Sequence, residues 1–311
     1  MTAPPVRIAI AGLGKIARDQ HLPAIAADPA FLLAATADPD PRAGAAGVPH
    51  FESLEAMLAD GPPVDAVAIC TPPQSRHRIA DAALARGLHV LLEKPPAATL
   101  SETAALEARA AASGATLFAA WHSRFAAGVA PARDWLAGRR VLAASIEWRE
   151  DVRVWHPGQD WIFAAGGLGV FDPGINALSI ATHILPGAIH LATAELDIPE
   201  NREAPVAARL AMRHDGGAAI TVELDFLQTG PQTWDIAVET DGGRLLLQRG
   251  GAALTLPEGS REGEDREYAG VYARFAELIR GGASEVDIAP LRLVADAFLR
   301  GTMRRAAPFT G

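Results

Sequence analysis

The chain has 311 residues, a formal net charge of -9 and 49% hydrophobic residues. This length suits two globular domains, and the acidic balance disfavours nucleic acid or an anionic membrane as a partner. The single cysteine, Cys70, excludes an internal disulfide. Because no segment has the pattern of a signal peptide or of a spanning helix of roughly 18 apolar residues, we expect a cytoplasmic protein.

The first apolar run, Val6 to Ala11, leads into a glycine turn of the form GxGxxA. Gly12 permits the tight turn, Gly14 lets the backbone approach a pyrophosphate, and the helix that follows offers free N–H groups to phosphates. The next apolar run ends at Asp38, whose carboxylate can accept hydrogen bonds from ribose hydroxyls and repels a 2'-phosphate. The pattern predicts NAD rather than NADP, although nearby Arg42 could soften the preference. In the alternative interpretation, Asp38 is a turn residue of the DPDP segment.

Apolar strands and helices alternate as far as residue 121, which is typical of a parallel sheet covered by helices on both faces. The strands are predicted at 6–11, 31–37, 50–51, 64–70, up to residue 93, and at 116–121. We therefore expect a Rossmann domain over residues 1–123. In such sheets ligands bind beyond the carboxyl ends of the strands. The residues at such ends, which one crevice could gather, are Gly14, Asp38, Thr71, Lys94 and His122.

Lys94 follows the last residues of a buried strand and precedes two prolines, in the segment LHVLLEKPP. Of the 28 basic residues in the chain only Lys15 and Lys94 are lysines. The retention of a compact ammonium group where arginine is otherwise used indicates a chemical role for Lys94. The alternative is that it is a chance surviving lysine at a strand end.

The pattern changes after about residue 125, where three segments alternate apolar and polar residues between glycine-rich turns, at 206–213, 220–226 and 234–239. This predicts an α+β domain over residues 124–311 with a largely antiparallel open sheet. The helix predicted at 173–185 would cover its buried face. Two closing helices are predicted near 269–280 and 291–304, and the last helix belongs either to this domain or packs back on the first.

Five of the six tryptophans lie between residues 121 and 161, close to several hydrogen-bonding side chains. Aromatic faces beside such groups suit a sugar, whereas the alternative is that the tryptophans pack the domain interface. Asp172 and Asn176 follow a glycine-rich stretch and are four residues apart, so they share one face of the predicted helix. Because Pro173 follows Asp172, the aspartate could instead be an ordinary helix N-cap.

These motifs together resemble the glucose-fructose oxidoreductase / inositol dehydrogenase (Gfo/Idh/MocA) family over essentially the whole chain. The matching segments, in the family's order, are GLGKIA, AICTPPQSRH, LLEKPP, WHSRF and GGLGVFDPGINAL. Within the family, KIARDQHLPAI, FAAWHSRF and VWHPGQDWI are similar to bacterial dehydrogenases that oxidise C1 of L-arabinose and D-galactose. The resemblance implies oxidation of the anomeric C1 hydroxyl of an aldopyranose to an aldonolactone, with NAD(P) as hydride acceptor, and a homodimer through the second sheet.

The resemblance also implies residue roles. Lys94 matches the family's catalytic lysine, whose bond to the following proline is often cis, and Asp172 matches its aspartate. Asn176 stands where inositol dehydrogenases have histidine, so Asp172 becomes our first choice of base, with Lys94 donating to the same oxygen or relaying its proton. The expected cofactor-binding residues are Gly12, Gly14, Lys15, Ile16, Asp38, Thr71, Pro72, His77, Glu93, Lys94, Trp121 and His122. The expected substrate-binding residues are Lys94, His122, Glu150, Trp155, His156, Asp172, Asn176 and Trp234.

Two other functions compete with an aldose 1-dehydrogenase. One is a dehydrogenase of another polyol or a dihydrodiol, and the other is a sugar sensor or co-regulator that binds NAD without turnover. Lys94 and Asp172 argue against the sensor, as does the lack of a basic patch. The nine histidines lack the spacing of metal ligands, so no metal is expected.

Overall fold

The computed structural model describes residues 4–310, which divide into two compact units. The first unit contains the described residues up to His122 and the segment Tyr268–Ile288. The second unit contains Ser123–Glu267 and the described residues from Ala289 onward. The chain therefore passes between the units three times. Within residues 4–310, no helix is both long enough and apolar enough to cross a membrane.

The helices and strands are numbered in chain order. The strands of the first unit are β1 Val6–Ala11, β2 Phe31–Ala37, β3 His50–Phe51, β4 Ala66–Ile69, β5 His89–Glu93 and β6 Leu117–Ala120. Those of the second are β7 Val141–Arg149, β8 Ile189–Pro199, β9 Ala207–His214, β10 Ala219–Asp225, β11 Thr233–Thr240, β12 Gly243–Gln248, β13 Ala253–Leu256, β14 Gly259–Glu262 and β15 Thr302–Ala306. The helices are α1 Leu22–Ala27, α2 Leu54–Asp60, α3 Pro73–Leu84, α4 Leu100–Ser113, α5 Val129–Leu136, α6 Val152–Trp155, α7 Phe171–Ile184, α8 Glu267–Gly281 and α9 Ala289–Arg300.

The first unit is a six-stranded parallel sheet in the order β3-β2-β1-β4-β5-β6, which confirms the predicted doubly wound fold. Its central strands are apolar and buried on both sides, as expected when helices cover both faces. Local signals define the helix ends. Ser53 accepts the Ala56 amide at the start of α2, and Thr99 forms a capping box with Glu102 at the start of α4.

The second unit is a nine-stranded sheet in the order β14-β13-β12-β11-β7-β10-β9-β8-β15. It is mixed, because β10 pairs in parallel with β7 and β15 with β8, but every other pairing is antiparallel. This confirms the prediction of a largely antiparallel sheet. Helix α7 packs on it closely: a Cβ atom on Gly174 would lie 2.5 Å from Leu224 of β10.

The predicted end of the last helix at Arg304 is wrong. Helix α9 ends at Arg300, and Thr302–Ala306 forms the edge strand β15, which pairs with β8. A glycine stands at the break because a Cβ atom on Gly301 would lie 2.4 Å from the Ala297 carbonyl oxygen. The helix that joins the first unit is α8, whereas α9 belongs to the second.

Candidate active site

The glycine turn between β1 and α1 has the geometry that a dinucleotide needs. Gly12 has φ +89°, and a Cβ atom there would lie 2.8 Å from the Thr71 amide nitrogen, so no larger residue fits. Gly14 is exposed, and nothing lies within 4 Å of the position that its Cβ would take. The protein therefore packs tightly against the turn at Gly12 and leaves empty space at Gly14, where a pyrophosphate would approach.

Asp38 follows β2 and is tied to the glycine turn. Its Oδ2 accepts the Leu13 amide at 2.7 Å, and its Oδ1 accepts the Asp40 amide at 2.9 Å. The bond to the Asp40 amide is the turn contact that the alternative interpretation requires. The bond to the Leu13 amide joins Asp38 to the glycine turn that would hold the pyrophosphate. Each carboxylate oxygen keeps a lone pair for a ribose hydroxyl. The two interpretations are thus compatible.

The beginning of the helical segment that follows is irregular. Lys15 and Ile16 are exposed, and Ala17–His21 forms a π-helical stretch before α1. Lys15 pairs with Asp19 one turn later, so its ammonium group is already engaged on the protein surface.

The remaining cofactor candidates follow the carboxyl ends of β4, β5 and β6, on the same edge of the sheet as Gly12 and Asp38. Thr71, His77, Lys94 and His122 are partly exposed, and Pro72 is exposed. The Thr71 Oγ1 is buried, and within residues 4–310 it has no hydrogen-bond partner. Trp121 is buried and donates from Nε1 to the Asp287 carbonyl at 2.9 Å. These features fit a bound NAD.

Arg76 of α3 fixes the backbone on either side of Lys94. Its guanidinium is buried and donates to the carbonyl oxygen of Glu93 at 2.5 Å and to that of Pro95. It also donates to the carbonyl oxygen of Thr71. The Lys94–Pro95 peptide is cis, as the resemblance implies. One buried cation therefore holds the ends of two strands together at the edge that carries Lys94.

Glu93 directs its side chain into the protein. Its Oε1 accepts hydrogen bonds from His21 Nε2 at 2.9 Å and from the Tyr268 hydroxyl at 2.6 Å, and its Oε2 accepts the Lys94 amide at 3.0 Å. His21 Nδ1 lies 2.8 Å from the Tyr272 hydroxyl oxygen. All four side chains of this group are at most 5% exposed. Both oxygens of Glu93, expected to contact the cofactor, are therefore engaged within the first unit.

The Glu93 carboxylate and the His21 imidazole form a buried ion pair. Burial opposes a charge on His21, but Coulombic and hydrogen-bond interactions with Cys70 and with Glu93 outweigh it and raise the pKa of His21 to about 10. Burial likewise opposes the charge on Glu93, but His21, with smaller contributions from His122 and the Tyr268 hydroxyl, holds its pKa well below the ordinary value. Both groups are thus charged at neutral pH.

This buried group was not found from the sequence. His21 lies in the segment DQHLPAI, which has the pattern of an ordinary amphipathic helix. Its partners Tyr268 and Tyr272 lie on α8, about 250 residues further along the chain. The only available signal was the pair of tyrosines four residues apart, since the described chain has no others.

The second unit gathers two carboxylates around His156. Its Nε2 lies 3.2 Å from Glu150 Oε1, and its Nδ1 lies 3.9 Å from Asp172 Oδ2. Trp234 donates from Nε1 to Glu150 Oε2 at 3.0 Å. Both carboxylates are 4% exposed. The structure therefore brings together Glu150, His156, Asp172 and Trp234, which the sequence analysis assigned to the sugar.

Asp172 does not cap helix α7, so that alternative is wrong. The helix begins at Phe171 with Val170 as its N-cap residue, and Asp172 lies inside the first turn. Asn176 follows one turn later on the same face and is half-buried. Asp172 and Asn176 thus lie one turn apart on the same face of the helix.

Aromatic rings adjoin this polar group. Trp155 packs edge-on against Trp234, with ring centroids 5.2 Å apart, and the ring centroid of Trp148 lies 6.3 Å from that of Trp234. Trp155 is 41% exposed, so part of its ring is available to a ligand. Among residues 4–310 there is no group of three or more histidine, cysteine or acidic side chains that could hold a metal ion.

The comparisons with known proteins agree with the fold. Residues 6–120 match the family model described as an oxidoreductase family with an NAD-binding Rossmann fold. The chain belongs to this family, the Gfo/Idh/MocA oxidoreductases.

Two dehydrogenases resemble the chain over nearly its whole length. It is 47% identical to the galactose 1-dehydrogenase of Pseudomonas fluorescens, over 96% of each chain. The crystal structure of a D-galactose 1-dehydrogenase protein from Rhizobium etli is 51% identical and superposes with a TM-score of 0.95, covering 100% of this chain and 99% of that one. A D-xylose 1-dehydrogenase (NADP(+)) of Haloferax volcanii is 32% identical over 76% of this chain and 74% of its own length.

Proposed function

We propose that the protein oxidises the anomeric C1 hydroxyl of an aldopyranose to the aldonolactone, with D-galactose, L-arabinose and D-fucose as its substrates. The high identity to galactose 1-dehydrogenases over nearly the full chain supports the reaction. The observation that carries the proposal is the buried Asp172 beside His156, Glu150 and the tryptophan pair.

This arrangement suits a sugar for two physical reasons. A pyranose has apolar C–H faces that pack on aromatic rings, which Trp155 and Trp234 supply. It also has a rim of hydroxyls, which carboxylates, imidazole and amide groups bind as donors and acceptors. Because Glu150 already accepts from Trp234 and from His156, its position is fixed before a sugar arrives.

Asp172 is the proposed base for the C1 hydroxyl. Its carboxylate can accept a proton, whereas the amide of Asn176 cannot and is assigned to orient the sugar. Lys94 is assigned by resemblance to donate to the same oxygen or to relay its proton. NAD, when bound, accepts the hydride from C1.

The proposed coenzyme preference is NAD over NADP. Asp38 supports it because its carboxylate follows β2 and is held by the Leu13 amide of the glycine turn. A 2'-phosphate near this carboxylate would meet a like charge. NADP remains the second coenzyme to test, since one relative carries NADP in its name.

The test is the initial rate of NADH and NADPH formation with D-galactose, L-arabinose, D-fucose, D-glucose, D-xylose and myo-inositol. We expect turnover with the first three sugars and NAD. Turnover only with myo-inositol or another polyol would replace the C1 assignment. NAD binding without turnover of any compound would favour a sensor.

We also propose a homodimer through the exposed face of the second sheet. This face carries alternating charges, with ion pairs such as Arg209 with Asp197 and Arg304 with Asp197. Light scattering coupled to size exclusion should give twice the mass of the 311-residue chain, and a monomer at micromolar concentration would contradict it.

The single Cys70 fits a reducing compartment, and we propose the cytoplasm, which cell fractionation would test.

A further inference from the structure

The buried pair of Glu93 and His21 lies directly behind Lys94. Glu93 is the residue before Lys94, and it accepts the Lys94 backbone amide through Oε2 while His21 and Tyr268 hold Oε1. Burying two charges is costly, and hydrophobic residues of the same volume would often stabilise a fold as well. A stability role alone therefore gives little reason for this arrangement next to a lysine.

We propose that the Glu93–His21 pair positions Lys94 and sets the net charge beside its ammonium group. His21 supplies a positive charge that offsets Glu93, and Glu93 holds the backbone amide of Lys94 through Oε2. The inference deepens the proposed function and rests on it for the catalytic role of Lys94. His21, Glu93 and Tyr268 are positioning residues, since they act through Lys94.

The buried group also contacts His122, through the ring of Tyr268. The Tyr268 ring, whose hydroxyl donates to Glu93, stacks on the His122 ring with centroids 5.3 Å apart and an interplanar angle of 20°. His122 is one of the expected cofactor and sugar residues. The positioning group thus contacts two of the candidate residues at the carboxyl edge of the first sheet.

Ionisable groups from six elements surround the pair, and they include the buried Arg76 guanidinium as a second positive charge. They are His21 before α1, Cys70 after β4, Arg76 on α3, Glu93 at the end of β5, His122 after β6, and Tyr268 and Tyr272 on α8. Removal of His21 alone leaves the Glu93 carboxylate held by Tyr268 and the Lys94 amide, with no balancing imidazolium. The loss of Glu93 together with His21 removes one charge of each sign and so leaves the net charge of the site unchanged.

The chain offers a direct readout, because Lys94 and Lys15 are its only lysines. Both amines compete for a trace of acetic anhydride, and mass spectrometry gives the labelling of Lys94 relative to the exposed Lys15 as a function of pH. In His21→Gln the Glu93 carboxylate, no longer offset by His21, should favour the charged ammonium of Lys94 and lower its labelling at pH 8 by roughly 4- to 10-fold, as expected for one added negative charge nearby. In His21→Gln/Glu93→Gln the labelling should return to the wild-type ratio.

The turnover number, kcat, should change across the variants in the same order as the labelling of Lys94. We expect kcat with the best sugar to fall at least about 10-fold in His21→Gln and to recover partly in the double variant, with the Kd for NAD unchanged throughout. If His21→Gln does not fold, Tyr268→Phe tests the same direction at smaller amplitude, because it keeps the ring against His122 and removes only the hydroxyl bonded to Glu93. The control is Thr103→Val, which removes a buried hydroxyl of α4 that bonds to Thr99.

The results separate the two proposals. Equal Lys94 labelling in wild type and His21→Gln, or a double variant no closer to wild type than the single one, would overturn the positioning role. The same would follow if Thr103→Val changed the labelling as much as Tyr268→Phe does. The expected labelling pattern in a protein that oxidises no sugar would support the positioning role and refute the proposed function.

Discussion

The free energy of unfolding should decrease as the pH rises from about 6.5 towards 10, because His21 loses its proton over that range. The pKa of His21 is raised from 6.5 to about 10 in the fold, so its stabilising contribution is complete below pH 6.5 and lost as the pH approaches 10. One proton bound in the native state alone changes stability by about 1.4 kcal/mol per pH unit, or about 3 kcal/mol between pH 7 and 9. For Glu93 the dependence of stability on pH is reversed. Its pKa is lowered from 4.5 in the fold, so its stabilising contribution is present above that pH and is lost in acid.

The assay is urea unfolding at pH 6, 7, 8 and 9, compared with the double variant His21→Gln/Glu93→Gln. The single variant His21→Gln is not a suitable reference, because it leaves the Glu93 carboxylate buried without its partner and so adds a desolvation cost of its own. We expect the wild type to lose about 1.4 kcal/mol more per pH unit than the double variant between pH 7 and 9. Equal slopes would show that His21 is neutral in the fold and would refute the ion pair.

Five further substitutions test the site. Lys94→Ala and Asp172→Asn should each lower kcat by roughly 10²-fold or more while NAD affinity is kept, and a loss of thermal stability alone would assign a structural role. Asp38→Ser should move the ratio of kcat/KM values towards NADP, whereas an unchanged ratio would mean that the ribose is recognised elsewhere. Gly12→Ala should destabilise the fold by about 1 kcal/mol or more, since it combines φ +89° with a Cβ 2.8 Å from the Thr71 nitrogen. Gly14→Ala, with open space around it, should keep the thermal stability and weaken NAD binding, and equal destabilisation by both changes would contradict this assignment.

The sequence predicted the first sheet well because each of its signals is local. Apolar strands, a glycine turn and capping residues such as Ser53 and Thr99 act within a few residues of each other. The last helix was extended too far because the segment after α9 keeps an amphipathic composition. Only its pairing with β8, about 107 residues earlier in the chain, makes it a strand.

The candidate site was predictable only in part for the same reason. Asp172 and Asn176 share a helix face, so their spacing indicated a common role. The contact of His156 with both Glu150 and Asp172 depends on how α6 and α7 pack in the second unit, which spacing does not encode. The Glu93–His21 pair depends on a helix near the end of the chain, and no local pattern predicts that contact.

The return of α8 to the first unit affects the order of folding during synthesis. The first unit lacks Tyr268 and Phe275 until 145 further residues, Ser123–Glu267, have been made. Phe275 stacks on Phe31 and Phe118, so a nascent chain ending near His122 exposes part of its core. At about 5–20 residues per second this interval lasts about 7–30 s. The N-terminal part of the chain therefore cannot complete its core until α8 has been made. Most of the second unit emerges from the ribosome before the first unit is complete.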